Sequence, residues 1–241
     1  MAKFFQRPGP ERGPLYRLGW HVAMGSLWFV GGSAAWVGVY AFVPPPVTMT
    51  MVLDRNGFTK TWVPLSQIDR RMVDAVIAGE DSRFCLHHGF DGAGIEYALQ
   101  RNLANDGKKL RGGSTISQQT AKNAFLWQGT GWTRYVRKGL ETWFTLLIET
   151  LWPKRRIMEV YLNVAEMGVG TYGAEAASQR YYRHSAAHLS QVEAARIAAA
   201  LPNPKKRAVV GASGFTRRHG NAIAKRSGVV RRDDLDDCIY Q

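Results

Sequence analysis

Acidic side chains are scarce in this chain: 19 Asp and Glu stand against 32 Lys and Arg, a formal charge of +13 over 241 residues. Such an excess implies an anionic partner, whether nucleic acid, anionic lipid or a phosphorylated substrate. Cysteine is scarcer still. Cys85 and Cys238 stand alone, far apart, and match no metal-ligand spacing. The expectation is two free thiols, with a disulfide open only to a chain exported from the cytoplasm. No Gly-Lys-Ser/Thr ending follows Gly112-Gly113, which excludes a nucleotide phosphate loop. No Ser begins an S-x-x-K and K-T-G is missing, which excludes a penicillin-binding transpeptidase site. His87 and His88 are adjacent, so their side chains diverge, and no second pair offers ligand spacing; no metal site is expected.

Charge of either sign is also missing from Leu18 to Val43, LGWHVAMGSLWFVGGSAAWVGVYAFV. These 26 residues can cross a hydrocarbon core of about 30 Å as a helix. Trp20, Trp28, Trp36 and Tyr40 add amphipathic rings, of which the outer ones suit headgroup level. Lys3, Arg7, Arg12 and Arg17 precede the run, with only Glu11 opposing. The positive-inside rule therefore predicts a cytoplasmic N-terminus (1–17), a transmembrane helix (18–43) and everything after Pro44 outside the cytoplasm. The run is longer than a signal-peptide core and no small-x-small cleavage site precedes the prolines, so it reads as an uncleaved anchor. An exported domain seldom meets nucleic acid, which removes that partner.

Pro44-Pro45-Pro46 reads as a stiff extended spacer, and Arg55-Asn56-Gly57, between β-prone runs, as a hairpin signal within a linker of 44–62. From Val63 the signals turn helical. Ser66 and Asp69 fit a capping pattern ahead of Met72, Val73, Val76 and Ile77, a stripe that ends at Glu80. GIEYALQRNLA follows as a second helical stretch. Val136, Leu140, Trp143, Phe144, Leu147, Ile148 and Leu151 repeat at helical spacing from Arg134 to Trp152, and Pro153 closes the run. KRRIMEVYLN restarts a helix, and Ser190 with Glu193 makes a capping box for an Ala-rich one. GVGTYG, 168–173, satisfies the dinucleotide pattern, but it follows a helical segment with no parallel-strand context, so it reads as a flexible turn. The predicted architecture is a mainly α domain over 63–207 with a basic extension over 208–241.

Two stretches concentrate residue types that chemistry would need. AGEDSRFCLHHGFDGAGI ends an apolar helix on adjacent carboxylates, Glu80 and Asp81, with Arg83, Phe84, His87, Gly89 and Asp91 close behind. Alone, Glu80 reads either as a solvated helix end or as a carboxylate held ready to take a proton. RGGSTISQQTAKN sets Gly112-Gly113, which let backbone approach a ligand closely, before Ser114, Thr115, Ser117, Gln118, Gln119, Lys122 and Asn123. A helix start of this kind favours an anion through its free N–H groups and dipole. Arg137, Lys138 and Glu141 share the first turns of the long helix. On a lone helix they are a surface ion pair worth under about 1 kcal/mol; with Arg134 nearby, the cation density also suits a diphosphate.

In order, these stretches resemble the motifs of the peptidoglycan glycosyltransferases, glycosyltransferase family 51. EDSRFCLHHGFD is similar to the first, E-x-x-x-F-x-x-H-x-G-x-D, with Glu80, Phe84, His87, Gly89 and Asp91 on its fixed positions. GGSTISQQTAKN resembles the second, RKGLE the third, KRRIMEVYLN with Asn163 the fourth and GVGTYGAEAASQRYY the fifth. The likeness spans about 63–205, and with no transpeptidase motifs it points to the single-anchor, monofunctional members. It implies a lysozyme-like α fold with a smaller membrane-apposed jaw. It also implies polymerisation of lipid II into β-1,4 glycan strands, with a lipid-linked glycan chain as donor, inversion at its anomeric carbon and release of undecaprenyl diphosphate. By the same resemblance Glu80 matches the general base and Glu141 the second carboxylate, while Ser114, Gln118, Gln119, Lys122, Arg137 and Lys138 match the diphosphate and sugar binders. Asp81, Arg83, Phe84, His87, Gly89, Asp91, Gly112, Gly113, Thr115, Asn123, Asn163 and Asn203 fall in supporting places. No cofactor is required, although a divalent cation (Mg or Mn) could accompany the diphosphate. Lipid II, the glycan chain, the bilayer and other cell-wall synthesis proteins are the implied partners, at a bacterial inner membrane. Thr133 stands four residues before Arg137, where members often carry an Arg, and Arg134 lies one later. Two readings compete: a lysozyme-like lytic enzyme has no evident need for a cationic cradle, and a non-catalytic scaffold binding anionic lipid leaves Glu80 and GGSTISQQ unexplained.

Overall fold

The computed structural model describes residues 9, 11–94, 96, 100, 113–129 and 131–240. The chain divides into two compact units, one ending at Val43 and the other starting at Pro44. The first is α1 (Pro14–Phe42), opened by a proline in its first turn, where the missing N–H has no partner to lose. By length and composition α1 is apolar enough to cross a membrane.

The second unit begins with α2 (Met49–Val52) and β1 (Thr59–Lys60). The proline run expected as a spacer is tied to β1, because Lys60 Nζ donates to the carbonyls of Pro45 and, at 3.0 Å, Pro46. The hairpin expected around Arg55-Asn56-Gly57 does not form. Its turn does: Asp54 Oδ1 accepts from Asn56 N (3.0 Å) and Nδ2 (2.8 Å). The segment before the turn is helical, however, so β1 pairs in parallel with residues 171–172 instead.

α3 (Arg70–Glu80) starts as expected at Asp69, whose side chain accepts from Arg71 N at 2.9 Å. Its stripe of Met72, Val73, Val76 and Ile77 is fully buried. GIEYALQRNLA lies almost entirely outside the described residues. α4 (Ile116–Phe125) carries a complete capping box between Thr115 and Gln118. α5 (Thr133–Leu151) sits within a residue of the predicted run, and α6 (Lys154–Val164) restarts directly after Pro153. β2 (Glu166–Gly168) and β3 (Thr171–Tyr172) form an antiparallel hairpin, completing a sheet of order β1-β3-β2. GVGTYG is therefore part of a small sheet rather than a loose turn. Gly173 closes it at φ +88°, where a Cβ would lie 2.9 Å from the Asn163 carbonyl oxygen, so only glycine fits. α7 (Ala174–Tyr182) and α8 (Gln191–Ala200) follow, the latter opened by the expected Ser190–Glu193 box. The basic C-terminal segment forms α9 (Gly214–Arg232) and α10 (Asp237–Tyr240).

Two helix groups make the core. α3, α8 and α9 pack on one another, while α4 packs against α5 and α6. α9 buries Ile223 and Val230 and turns Arg217, Arg218, Lys225 and Arg226 to solvent. The cysteines expected to be free are joined instead: Cys85 and Cys238 form a disulfide with Cα atoms 5.5 Å apart. Nothing local in the sequence shows that α10 returns to the turn after α3, and that return is what brings the two sulfurs together. A cross-link over 153 residues restricts the unfolded chain and stabilises by about 2–5 kcal/mol.

Candidate active site

α3 delivers Glu80 as its last residue, because Asp81 leaves helical geometry at φ −157° and a single 3-10 turn, Phe84–Leu86, follows. Asp81 is only 7% exposed and is wholly engaged. Its Oδ2 accepts from Ile116 N at the start of α4 (3.0 Å), and both oxygens lie 3.0 Å from His87 Nε2. His87 Nδ1 accepts from Gly89 N (3.1 Å), which assigns the ring proton to Nε2, donated to Asp81. Thr115 Oγ1 donates to the Gly89 carbonyl at 2.7 Å. Gly89 holds φ +88°, and a Cβ there would fall 2.7 Å from Thr145 Cγ2 on α5. Asp81, open between cap and site in the sequence, thus joins the turn after α3 to the N-terminus of α4.

That joint sets Glu80 against Gln119, whose Nε2 donates to Glu80 Oε2 at 2.8 Å. Tyr161, fully buried, makes a long contact of 3.4 Å from its hydroxyl to Gln119 Oε1. Burial pushes the Glu80 carboxyl above its ordinary value; Gln119, Arg207 and Lys122 oppose the rise and Asp81 adds to it. Burial pushes the Lys122 ammonium below its ordinary value; Glu141 and Glu80 resist, while Arg137 and Lys138 reinforce it. An amine of the second stretch therefore feels charges from Glu80 of the first and from the start of α5, which the fold gathers into one site.

The Arg137–Glu141 pair is not the solvated helix pair that its spacing alone suggests. Glu141 is 3% exposed, and its two oxygens accept from Arg137 Nη1 and Lys138 Nζ. Arg137 Nε is buried and has no acceptor among the described residues.

The remaining sequence candidates divide clearly. Gly113 and Ser114 are exposed ahead of α4; Gly112 lies outside the described residues. Gln118 Oε1 is spent on the capping box, accepting from Thr115 N at 3.0 Å. Asn123 is buried on α4 and its carbonyl accepts from Thr50 Oγ1 (3.4 Å). Asn163 fastens the start of the domain to α6: Oδ1 accepts from Val63 N (3.0 Å), and Nδ2 donates to Val63 O (2.9 Å) and Glu159 O (2.8 Å). The carbonyl of Asn203 accepts from Lys206 N and Arg207 N, shaping the turn that carries Arg207. Arg83 is exposed and pairs with Asp91 at 3.5 Å. Phe84 is core, with Lys154 Nζ 4.5 Å from its ring centroid. Arg134 lies over the Tyr135 ring.

Sequence reasoning missed a supporting network. Glu149 accepts from Ser117 Oγ and from Lys154 Nζ (2.8 Å), and the same amine donates to the His87 carbonyl (2.7 Å). A signal existed, since Glu141, Thr145 and Glu149 recur every four residues on one face of α5. Tyr161 and Arg207 carried no comparable mark.

A desolvated carboxylate beside a cluster of cations is built to take a proton from one group while neutralising charge on another. That is the equipment of group transfer away from an anionic leaving group. A family model described as Transglycosylase matches residues 48–228, and the chain belongs to that family and is a glycosyltransferase. It is 50% identical over 213 residues to the biosynthetic peptidoglycan transglycosylase of Caulobacter vibrioides, covering 87% of this chain and 91% of that protein. The protein of the same description from Rhodospirillum centenum is 50% identical over 204 residues (83% and 86% covered). That of Pseudomonas aeruginosa is 44% identical over 217 residues (86% and 91%).

Proposed function

We propose that this chain is a membrane-anchored peptidoglycan glycosyltransferase that polymerises lipid II into β-1,4 glycan strands. The observation that carries the reading is Glu80, a desolvated carboxylate with a raised pKa, held by Gln119 beside Lys122. The acceptor sugar hydroxyl gives its proton to Glu80 as its oxygen attacks the donor's anomeric carbon. The bond from that carbon to the diphosphate oxygen breaks, and its electron pair leaves on undecaprenyl diphosphate. Attack opposite the leaving group turns an α-linked donor into a β-linked product.

A diphosphate leaves readily and needs its charge neutralised more than it needs a proton. Lys122, Arg137 and Lys138 less the Glu141 carboxylate leave two net positive charges for it, in a site where water does not screen them fully. Arg137 Nε, buried and without an acceptor among the described residues, supports this use. Glu141 then holds two of the cations in place. Both Glu141 oxygens are engaged by these cations, so no metal is assigned to this carboxylate. A divalent ion, Mg or Mn, would arrive on the diphosphate. The basic residues ahead of α1 support a cytoplasmic N-terminus and a catalytic unit on the outer face of a bacterial inner membrane, where other cell-wall synthesis proteins would meet it.

The test is incubation of the full chain in detergent with labelled lipid II. Glycan polymer is expected from wild type, with a rate about 10²-fold or more lower from Glu80→Gln. Polymer from Glu80→Gln at the wild-type rate would remove the base assignment, and soluble fragments released from mature peptidoglycan would identify a lytic enzyme instead.

A further inference from the structure

We propose that the C-terminal strap, residues 231–240, closed by the Cys85–Cys238 disulfide, positions Glu80, so that the site reaches its working geometry only in the oxidised chain. The inference rests on the glycan-polymerising reading of Glu80 given above.

The strap grips α3 and the turn beyond it at successive points. Asp236, fully buried, accepts from Arg70 Nε (2.7 Å) and Nη2 (2.9 Å) at the first residue of α3. Arg231 Nη2 donates to Asp74 Oδ2 in the middle of the helix at 2.6 Å. Cys238 bonds to Cys85 in the turn just past the helix end. The strap is itself anchored on α6, where Arg155 Nη1 donates to the Ile239 carbonyl at 3.1 Å. Glu80 lies between the fastened points. Directly before it, Gly79 has so little room that a Cβ would sit 3.1 Å from Ile223 Cδ1 of α9, the helix leading into the strap.

A contiguous set of contacts links the disulfide to the base. Cys85 lies in the same short turn as Phe84, two residues before His87. His87 donates to Asp81, Asp81 holds Ile116 N, and Ile116 begins the helix that presents Gln119 to Glu80. The turn's other ties are polar, His87 to Asp81 and Lys154 to the His87 carbonyl. Leu86 is 68% exposed, so Phe84 is its one buried apolar anchor. α10 spans only four residues and does not define its own position without partners. Closure takes two electrons and two protons from the paired thiols, delivered by exchange to a disulfide oxidant outside the cytoplasm. A chain still inside the cytoplasm would carry the turn unfastened.

The experiment compares the full chain in detergent in four forms: oxidised wild type, wild type reduced and alkylated after folding, Cys85→Ser/Cys238→Ser, and Asp236→Asn with its disulfide intact. Hydrogen exchange of peptides covering 80–91 and of α6 is read beside kcat and KM for lipid II. In the reduced and serine forms, exchange at 80–91 should rise by about tenfold or more, with α6 unchanged. kcat should fall about tenfold with KM within about twofold, and reoxidation of reduced, unalkylated protein should restore it. Asp236→Asn should show the same pattern, weaker. Unchanged exchange at 80–91 would overturn the proposal, as would faster exchange with wild-type kcat. Loss of protection throughout, α6 included, would overturn it too, by showing a disulfide that only stabilises. If oxidised wild type makes no polymer, the functional reading fails, and the exchange data still decide whether the strap fastens the turn.

Discussion

The joint between α3 and α4 and the cationic start of α5 treat buried polar groups in opposite ways. At the joint every donor finds its acceptor inside the protein: Asp81 with Ile116 and His87, His87 with Gly89, Gly89 with Thr115, and Thr115 with Gln118. At the start of α5, Arg137 and Lys138 share the single carboxylate of Glu141, Arg137 Nε has no acceptor among the described residues, and the Lys122 ammonium is pushed down by burial. A satisfied network keeps its shape without a ligand, whereas an excess of buried donors is stable only at some cost until an anion arrives. The first region aims; the second binds.

Substitutions in the two regions should therefore fail differently. The largest effect belongs to Lys122→Met: kcat/KM for lipid II should fall about 10²–10³-fold, while the urea midpoint stays level or rises because a half-buried cation has gone. A midpoint that falls with the activity would blur the contrast. Next comes Asp81→Ala, which strands Ile116 N–H and His87 Nε2–H in a buried place. It should lower stability by about 2–4 kcal/mol in denaturant titration, with activity falling as a consequence.

Glu80→Gln should act in the opposite sense on stability. The Glu80 carboxyl is raised in the fold, so its contribution is fully present below the unfolded value of 4.5 and is lost as pH rises through the folded value. Above the folded value the ionised carboxylate opposes folding. The variant should accordingly gain urea resistance there and lose that gain as pH falls through the folded value toward 4.5, even as polymerisation collapses. The smallest effect is Arg83→Ala: an exposed pair at 3.5 Å from Asp91 is worth under about 0.5 kcal/mol, and both stability and rate should stay near wild type.

Local order was legible in the residues themselves. Asp69 and the Ser190–Glu193 box mark real helix starts, and the period from Val136 to Leu151 gives α5 to within a residue, because caps and stripes are short-range devices. Long-range pairing was not. β1 found its partner at Thr171 rather than across the Asn56-Gly57 turn, and Cys85 found Cys238 across 153 residues, neither of which leaves a local trace. Motif likeness gathered Glu80, Lys122, Arg137, Lys138 and Glu141, and the fold brings the other four within electrostatic reach of Lys122. Residue types alone misjudged Arg137 and Glu141 as a surface pair, since nothing on one helix shows that α4 packs against it. Arg207 acts on Glu80 through space from the turn after α8, and no sequence spacing could have nominated it.

The pH dependence of kcat/KM for lipid II tests the role of Glu80 most directly. A desolvated base and a desolvated cation narrow the active range from both sides: the acid limb should lie above 4.5 and the alkaline limb below 10.5. In Glu80→Gln the acid limb should vanish from whatever activity remains. An acid limb at or below 4.5, or one that survives unchanged in Glu80→Gln, would contradict the assignment of Glu80 as the base.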